Sequence, residues 1–419
     1  MKQTPWSSPS ARSCKNRRKE CNFAWEQCKL GDVCEEVSGN NGNVKGLPIL
    51  TISAANGWMN QKDRFSQVIA GNELKKYTLL EKGHLAYNHG NSKLAKYGTV
   101  FVQNLYDQAL VPRVYHSFKM KTENNPYYVE YYFATKKLDR ELARLVTSGA
   151  RMDGLLNINK KDFFKIKFEV PTPVEQSLIS TILQKLDQII TLHEEKKQQL
   201  KRLKSALLQK MFANKSGYPA VRFERFNDIW DQEKLSSLVR LRRGLTYSPD
   251  NVQDSGIRVL RSSNILDGQF VTTDDDIFVK SSVVNIPTIK SGDILITAAN
   301  GSIKLVGKHA IISRISENTA VPGGFMLVGS SRIPDFVNSL FGTSWYQRFI
   351  RKYVTGGNGS IGNLKKNDLD KQYVMVPTTS EQEQIGEFLK KIDKLITNNQ
   401  IKHDKLLELK ESLLQNMFI

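Results

Sequence analysis

The feature that most constrains this chain is an internal repeat. Pro171–Phe212, "PTPVEQSLISTILQKLDQIITLHEEKKQQLKRLKSALLQKMF", aligns without a gap on Pro377–Phe418, "PTTSEQEQIGEFLKKIDKLITNNQIKHDKLLELKESLLQNMF", at an offset of 206, with 19 of 42 positions identical. That agreement is far above chance, so both segments must be copies of one structural unit. Each copy predicts a long helix, because its apolar residues recur at a spacing near 3.5. The first stripe is Ile179, Leu183, Leu186, Ile190, Leu200, Leu203 and Leu207. The second is Ile385, Leu389, Ile392, Ile396, Leu406, Leu409 and Leu413. His193 and Asn399, at equivalent positions, interrupt the two stripes. A narrow seam with charged flanks favours a coiled coil over two helices packed on separate cores, and a polar seam residue fixes register.

The repeat extends beyond the helices. "NINKKDF" (Asn157–Phe163) answers "NLKKNDL" (Asn363–Leu369), and "WEQCKL" (Trp25–Leu30) answers "WDQEKL" (Trp230–Leu235). The expected layout is a basic, solvated tail at 1–22, a domain at 23–170, a long helix at 171–212 and a hinge, "ANKSGYP" onward, at 213–222. A second domain at 223–376 and a second long helix at 377–419 complete it. Both domains read as α+β. "GTVFVQ" (Gly98–Gln103), "GDILIT" (Gly292–Thr297) and "HAIISRI" (His309–Ile315) predict short strands. "YYVEYYFATKKLDRELARL" (Tyr127–Leu145) and "PDFVNSLFGTSWYQRFIRKYV" (Pro334–Val354) predict helices. Outside the repeated parts the two domains diverge at most positions, so one frame carries two different surfaces.

Charge points to a polyanionic partner. The 419 residues hold 61 basic and 42 acidic side chains, a formal net of +19. The tail accounts for +5, the first helix segment for +3 and the second for −1, which leaves +12 on the two domains and the hinge. A surface that contacts phosphates is expected there. No apolar run approaches the length that spans a bilayer, and the basic N-terminus has no apolar core of a signal peptide, so the expected location is the cytoplasm. Cys14, Cys21, Cys28 and Cys34 have no CxxC spacing and no nearby histidine, so they predict reduced thiols and no metal site.

Catalytic motifs are not found. "GNGSIG" (Gly357–Gly362) fits G-x-G-x-x-G, but "NLKKND" follows in place of an apolar helix, and the other half lacks the pattern. "NNPYY" (Asn124–Tyr128) is closer to a turn opening a helix than to a methyltransferase loop. No phosphate-binding lysine loop and no histidine cluster are present.

These parts together resemble one family, the specificity subunits of type I restriction–modification systems. The resemblance rests on the paired openings Pro171…Glu175-Gln176 and Pro377…Glu381-Gln382, the paired "LLQxMF" closings, Trp25 and Trp230, and "GDILIT". It covers nearly everything from Phe23 to Ile419. One departure is visible: "YPAVRFERFNDIW" (Tyr218–Trp230) leads into the second domain, while "SCKNRRKECNFAW" (Ser13–Trp25) leads into the first without the Pro…Arg-Phe pattern. The resemblance implies two target-recognition domains of mixed sheet plus helices, joined by two long antiparallel helices with a pseudo-two-fold repeat. Each domain would read one half of a bipartite double-stranded DNA site. The helices would set the spacer and dock two methyltransferase (M) subunits, through which two motor-nuclease (R) subunits join. It implies no active site and no cofactor on this chain, with S-adenosylmethionine, ATP and Mg on the partner subunits.

Polar and basic residues around the paired strand ends are the expected DNA contacts. In the first domain these are Asn88, Asn91, Lys93, Lys96 and Arg113; in the second, Arg242, Arg243, Arg261, Asn264, Asn300 and Lys304. Lys185, Lys197, Lys201, Lys391 and Lys405 are expected on the outer docking sides of the helices. Two other readings compete. One is a self-contained enzyme, which the missing motifs oppose. The other is a coiled-coil adaptor binding protein or RNA without DNA sequence preference, which makes two divergent domains on one frame hard to explain.

Overall fold

The computed structural model describes residues 25–39, 46–65, 71–90, 93–121, 123–147, 156–214, 216–354 and 362–418. The basic tail, Cys14, Cys21, Asn91 and most of "GNGSIG" lie outside these residues. Two helices of 38 residues each, Pro173–Lys210 and Thr379–Asn416, stand 206 apart at both ends. The chain divides into two compact units, Met1–Leu192 with His403–Ile419, and His193–Lys402.

In the first unit, strand β1 (Glu26–Lys29) pairs antiparallel with β10 (Lys167–Val170), so the start of the domain is fastened beside its end. The main sheet holds β2 (Cys34–Glu36), β6 (Leu85–Asn88), β7 (Thr99–Val102) and β9 (His116–Met120) in the order β2-β9-β6-β7, all antiparallel. Two hairpin-like pairs flank it: β3 (Leu50–Ser53) with β4 (Gly57–Asn60), and β5 (Thr78–Glu81) with β8 (Gln108–Val111). Helix α1 (Pro126–Ala134) starts where Asn125 accepts a hydrogen bond from the Tyr127 backbone N–H, with Pro126 in the first turn. The sequence predicts one helix here. The chain instead breaks at Lys136, whose φ is 63°, and resumes as α2 (Asp139–Leu145).

The second unit repeats this plan. Here β11 (Asp231–Lys234) pairs antiparallel with β21 (Tyr373–Val376). The main sheet, β12 (Arg240–Arg243), β15 (Ile294–Thr297), β17 (His309–Ile311) and β19 (Met326–Ser330), has the order β12-β19-β15-β17, the counterpart of β2-β9-β6-β7. Beside it, β13 (Ile257–Leu260) pairs antiparallel with β14 (Ile277–Val279) and parallel with β18 (Ala320–Pro322). Short β16 (Ala299–Asn300) pairs with β20 (Gly362–Asn363). The single helix predicted over 334–354 is two, α3 (Pro334–Phe341) and α4 (Ser344–Tyr353), parted at Gly342-Thr343. The strand predicted at His309–Ile315 stops at Ile311.

The paired Glu-Gln openings lock each long helix to its domain. Gln176 donates to the Pro171 carbonyl at 3.0 Å, and Gln382 to the Pro377 carbonyl at 2.7 Å. Glu175 accepts from the Trp25 indole N–H at 3.1 Å, while Glu381 takes Arg222 through two hydrogen bonds of 2.8 Å. The repeated endings are plugs. In the first unit Phe418 is buried among Trp25, Tyr128 and Tyr132, with ring centroids 5.4 to 6.4 Å away. In the second unit Met211 is buried and Phe212 packs on Trp230 and Phe336, at 6.1 and 5.4 Å. Gly386 lets the second helix touch the start of α3, since a Cβ there would lie 2.7 Å from the Phe336 backbone nitrogen.

Within each unit the two long helices run antiparallel. In the first, Asp187 and Lys410 form an ion pair of 2.5 Å; in the second, the equivalent Asp393 and Lys204 form another of 2.5 Å. The same two equivalent positions are thus joined in each unit. His193 Nδ1 meets Asn399 Oδ1 at 2.9 Å, two equivalent positions touching each other. Ile179, Leu183, Leu186, Ile190, Ile385, Leu389, Ile392 and Asn399 are buried, and Leu200, Leu207, Ile396, Leu406 and Leu413 are half-buried. Leu203 and Leu409 are a correction. They are 49% and 48% exposed, because the seven-residue repeat that runs through His193 and Lys197 assigns the seam to Lys204 and Lys410. Lys197 is likewise buried, donating to Gln400 at 2.8 Å, and so stands away from the outer side expected for it.

Phe418→Ala should lower the stability of the full chain by about 3–5 kcal/mol, read as an earlier urea midpoint, with Phe212→Ala costing less because that ring is half-buried. In the first unit, burial pushes the Glu130 carboxyl from its usual 4.5 up to about 7, opposed by a hydrogen bond it accepts from the Val102 N–H. Between these two pH values the unfolded chain loses the proton that the folded chain keeps, so stability falls as pH rises. The advantage of Glu130→Gln over the parent should therefore grow from pH 4.5 to about 7 and stay flat above, measured by urea unfolding at each pH.

Candidate nucleic-acid interface

The shared topology brings the same set of strand ends to one rim of the main sheet in each domain. In the first domain Asn88 pairs with Thr99, and Tyr87 with His116. The end of β6, the start of β7 and the turn before β9 therefore adjoin. In the second, Arg243 pairs with Leu327, Thr297 with Met326, and Ile296 with His309. The rim there comprises the end of β12, the end of β15, the start of β17 and the turn before β19. Most of the expected DNA contacts stand on these rims.

Glycine makes the rim of the second domain possible. A Cβ on Gly244 would lie 1.9 Å from the Gly323 carbonyl oxygen, so β12 leaves the sheet in direct contact with the turn at Gly323–Phe325. Leu245 then donates to the Pro322 carbonyl at 2.7 Å, and Gly323 to the Leu260 carbonyl at 2.8 Å. Two sheets thus meet at one turn, with Arg243, Arg261 and the exposed Phe325 around it. Asn300 on β16 and Lys304 on the following 3-10 turn (Ile303–Leu305) continue the rim.

The candidate residues divide by what their side chains do. Lys93, Lys96, Arg113, Arg243 and Lys304 are exposed. Lys96 extends along the Tyr97 ring, 5.4 Å from its centroid. Asn300 is half-buried, its Oδ1 accepting from the Ser302 N–H. Four others make hydrogen bonds within the fold, and for Asn264, which is fully buried, this corrects the expectation. Asn264 is fully buried, accepting from the Arg261 N–H and donating to the Val271 carbonyl and Asp276. Arg242 donates to the Pro287 and Thr288 carbonyls and pairs with Asp293 at 3.1 Å. Arg261 donates to the Asp275 carbonyl at 2.5 Å. Asn88 donates to the Ile52 carbonyl and accepts from the Gly90 N–H. Sequence offered no sign of the acidic partners, Asp276 for Asn264, Asp275 for Arg261 and Asp293 for Arg242, which lie 12, 14 and 51 residues away.

Beside the first rim is a cleft of about 760 Å³, walled by Trp58, Leu94, Phe101 and Leu105, with Glu130 and Lys410 among its polar lining. Leu94 and Ala95 put the loop of Lys93 and Lys96 on its wall. Trp58 in this cleft and Phe325 at the second rim carry no charge and so gave no signal in the sequence. Among the described residues no group of three or more His, Cys, Asp or Glu is placed to hold a metal, and no helix is long and apolar enough to cross a membrane.

Known proteins share this design. A family model, type I restriction modification DNA specificity domain, matches residues 22–202 and again residues 206–409. A curated specificity subunit of the type I restriction enzyme EcoKI from Escherichia coli (strain K12) is 25% identical over 264 residues, 61% of this chain and 56% of that protein. The StySPI specificity subunit from Salmonella potsdam is 30% identical over 176 residues, 40% of this chain and 36% of that one. The chain therefore spans roughly a third to just over half the length of these two relatives. Its fold is similar to the crystal structure of a type I restriction-modification S subunit from M. genitalium, with a TM-score of 0.59 and 12% identity, covering 96% of this chain and 98% of that one. With each half matched in turn by the same model, and with the paired helices and paired domains that such a duplication requires, the chain belongs to the type I restriction modification DNA specificity domain family.

Proposed function

We propose that this chain is the sequence-reading, non-catalytic subunit of a type I restriction–modification complex, working on chromosomal and incoming DNA in the cytoplasm. The observation that carries the reading is the recurrence of one sheet rim, bearing exposed lysines and arginines, in two domains whose sequences diverge. Each rim would meet one half of a bipartite duplex site. Lys93, Lys96, Arg113, Arg243 and Lys304 would contact phosphates or base edges, with Asn300 beside them; Arg242, Arg261, Asn264 and Asn88 would hold the rim in shape. Family membership and the net charge of +19 both favour this over an adaptor without sequence preference.

The chain would bind no cofactor itself. Two methyltransferase subunits, carrying S-adenosylmethionine, would dock on the long helices, and two motor-nuclease subunits using ATP and Mg would join through them. Apolar side chains exposed on the outer sides of the helices, Leu178, Ile182, Ile189, Phe388 and Leu395, support such docking. In this reading the helices, each about 57 Å long at ~1.5 Å per residue, determine the spacing of the half-sites.

Charge reversal at a phosphate contact, tested as Arg243→Glu and Lys304→Glu, should weaken binding to every duplex alike and lower the slope of log affinity against log salt by about one unit. Unchanged affinity in both would reject the rim. The spacer gives an independent check. Insertion of four residues, about one turn, after Lys196 and after the equivalent Lys402 should lengthen the spacer by about one to two base pairs, with both half-site sequences kept. Sequencing modified adenines in DNA from cells that carry the chain and its partners reads both outcomes; altered bases with an unaltered spacer would reject the role of the helices.

A further inference from the structure

One β-turn occupies the same place on both rims but carries different chemistry. In the first domain it is Pro112–Tyr115, closed by the Tyr115 N–H donating to the Pro112 carbonyl at 3.1 Å. In the second it is Gly323–Met326, closed by the Met326 N–H donating to the Gly323 carbonyl at 2.8 Å. The central residues are Arg113 and Val114 in the one, Gly324 and Phe325 in the other.

Phe325 is 65% exposed on a backbone that is held from two sides. Its carbonyl accepts from the Ala298 and Ala299 N–H groups at 2.9 and 3.0 Å. A Cβ on the preceding Gly324 would stand 3.3 Å from the Leu245 carbonyl oxygen and 3.3 Å from Thr246 Oγ1. A lone exposed apolar side chain is ordinary on a protein surface. This one is set apart by position: it occupies the turn where two sheets meet, just beyond the end of the strand that carries Arg243, and the matching turn of the other domain carries an arginine one position earlier. A phenylalanine cannot bond a phosphate. On the major-groove edge of DNA its one apolar counterpart is the C5-methyl of thymine.

We propose that Phe325 reads a thymine methyl in the half-site of the second domain, and that this turn is a specificity-determining element of the scaffold. The inference rests on the rim facing DNA. Phe325 then supplies discrimination without charge, while Arg243 and Lys304 supply the salt-dependent part of affinity.

The test uses the full chain with its co-expressed partners and a duplex carrying the site mapped from modified adenines. A companion set of duplexes replaces each thymine by uracil, which removes only the methyl group. One replacement should weaken parent binding about tenfold, the scale of one lost base contact. Phe325→Ala should weaken binding to the unmodified duplex by a similar factor and show no further loss on that uracil duplex, with its salt slope and unfolding midpoint unchanged. Phe325→Leu should keep part of the affinity. Parent affinity in Phe325→Ala, a half-site without thymine, or losses that multiply on every uracil duplex would overturn the assignment. If Arg243→Glu and Lys304→Glu also leave binding and slope unaltered, the DNA-facing rim itself fails; if they weaken binding while Phe325→Ala does not, only the role of Phe325 fails.

Discussion

The reciprocal pairing of the two long helices is the constraint on which the rest of the structure depends. Asp187 with Lys410 and Asp393 with Lys204 are one contact made twice, and His193 against Asn399 is a contact between equivalents. Polar groups on a seam cost stability where apolar ones would add it, but they admit one register, since any slip leaves two lysines and two aspartates without partners. Fixing the register fixes which end of each helix reaches which domain. The two aromatic plugs, Phe418 and the Met211-Phe212 pair, can enter their sockets only in that arrangement.

Much of this was legible because duplication doubles every signal. A helix inferred from one stripe is a guess; the same stripe found 206 residues later is a constraint. The seam was misread where period and hydrophobicity disagreed. Leucine at 203 and 409 outweighed lysine at 204 and 410, although the lysines keep the seven-residue spacing and reach half-buried aspartates on the partner helix. Helix breaks at Lys136 and Gly342 were missed because neither carries proline, and tertiary packing decided them. The site was the least legible part. Arg242 and Asn264 look like surface readers until Asp293 and Asp276 come into reach, and those partners are properties of the fold, invisible in local sequence.

The domains show how a scaffold can diverge and still keep its geometry. The strand order is retained, and so are the paired strands that open and close each domain, Glu26 to Val170 and Asp231 to Val376. What changes is the material at the rim. One side uses lysines beside a cleft lined with Trp58 and Phe101, the other a tight glycine crossing at Gly244 and Gly323. The same strand ends can therefore present unrelated side chains, because hydrogen bonds within the sheets set where they stand and the residues themselves are at liberty to vary.

The way the chain is divided has a consequence for its synthesis. The second unit is one uninterrupted stretch, His193–Lys402, whereas the first needs Met1–Leu192 and also His403–Ile419. As the polypeptide leaves the ribosome, the later unit has all of its residues before the earlier one does. The first unit's aromatic socket stays unfilled until Phe418 has emerged, after the whole of the second unit. Assembly therefore runs against sequence order, and a chain truncated between Lys402 and Phe418 would leave the second unit whole and the first one's socket open.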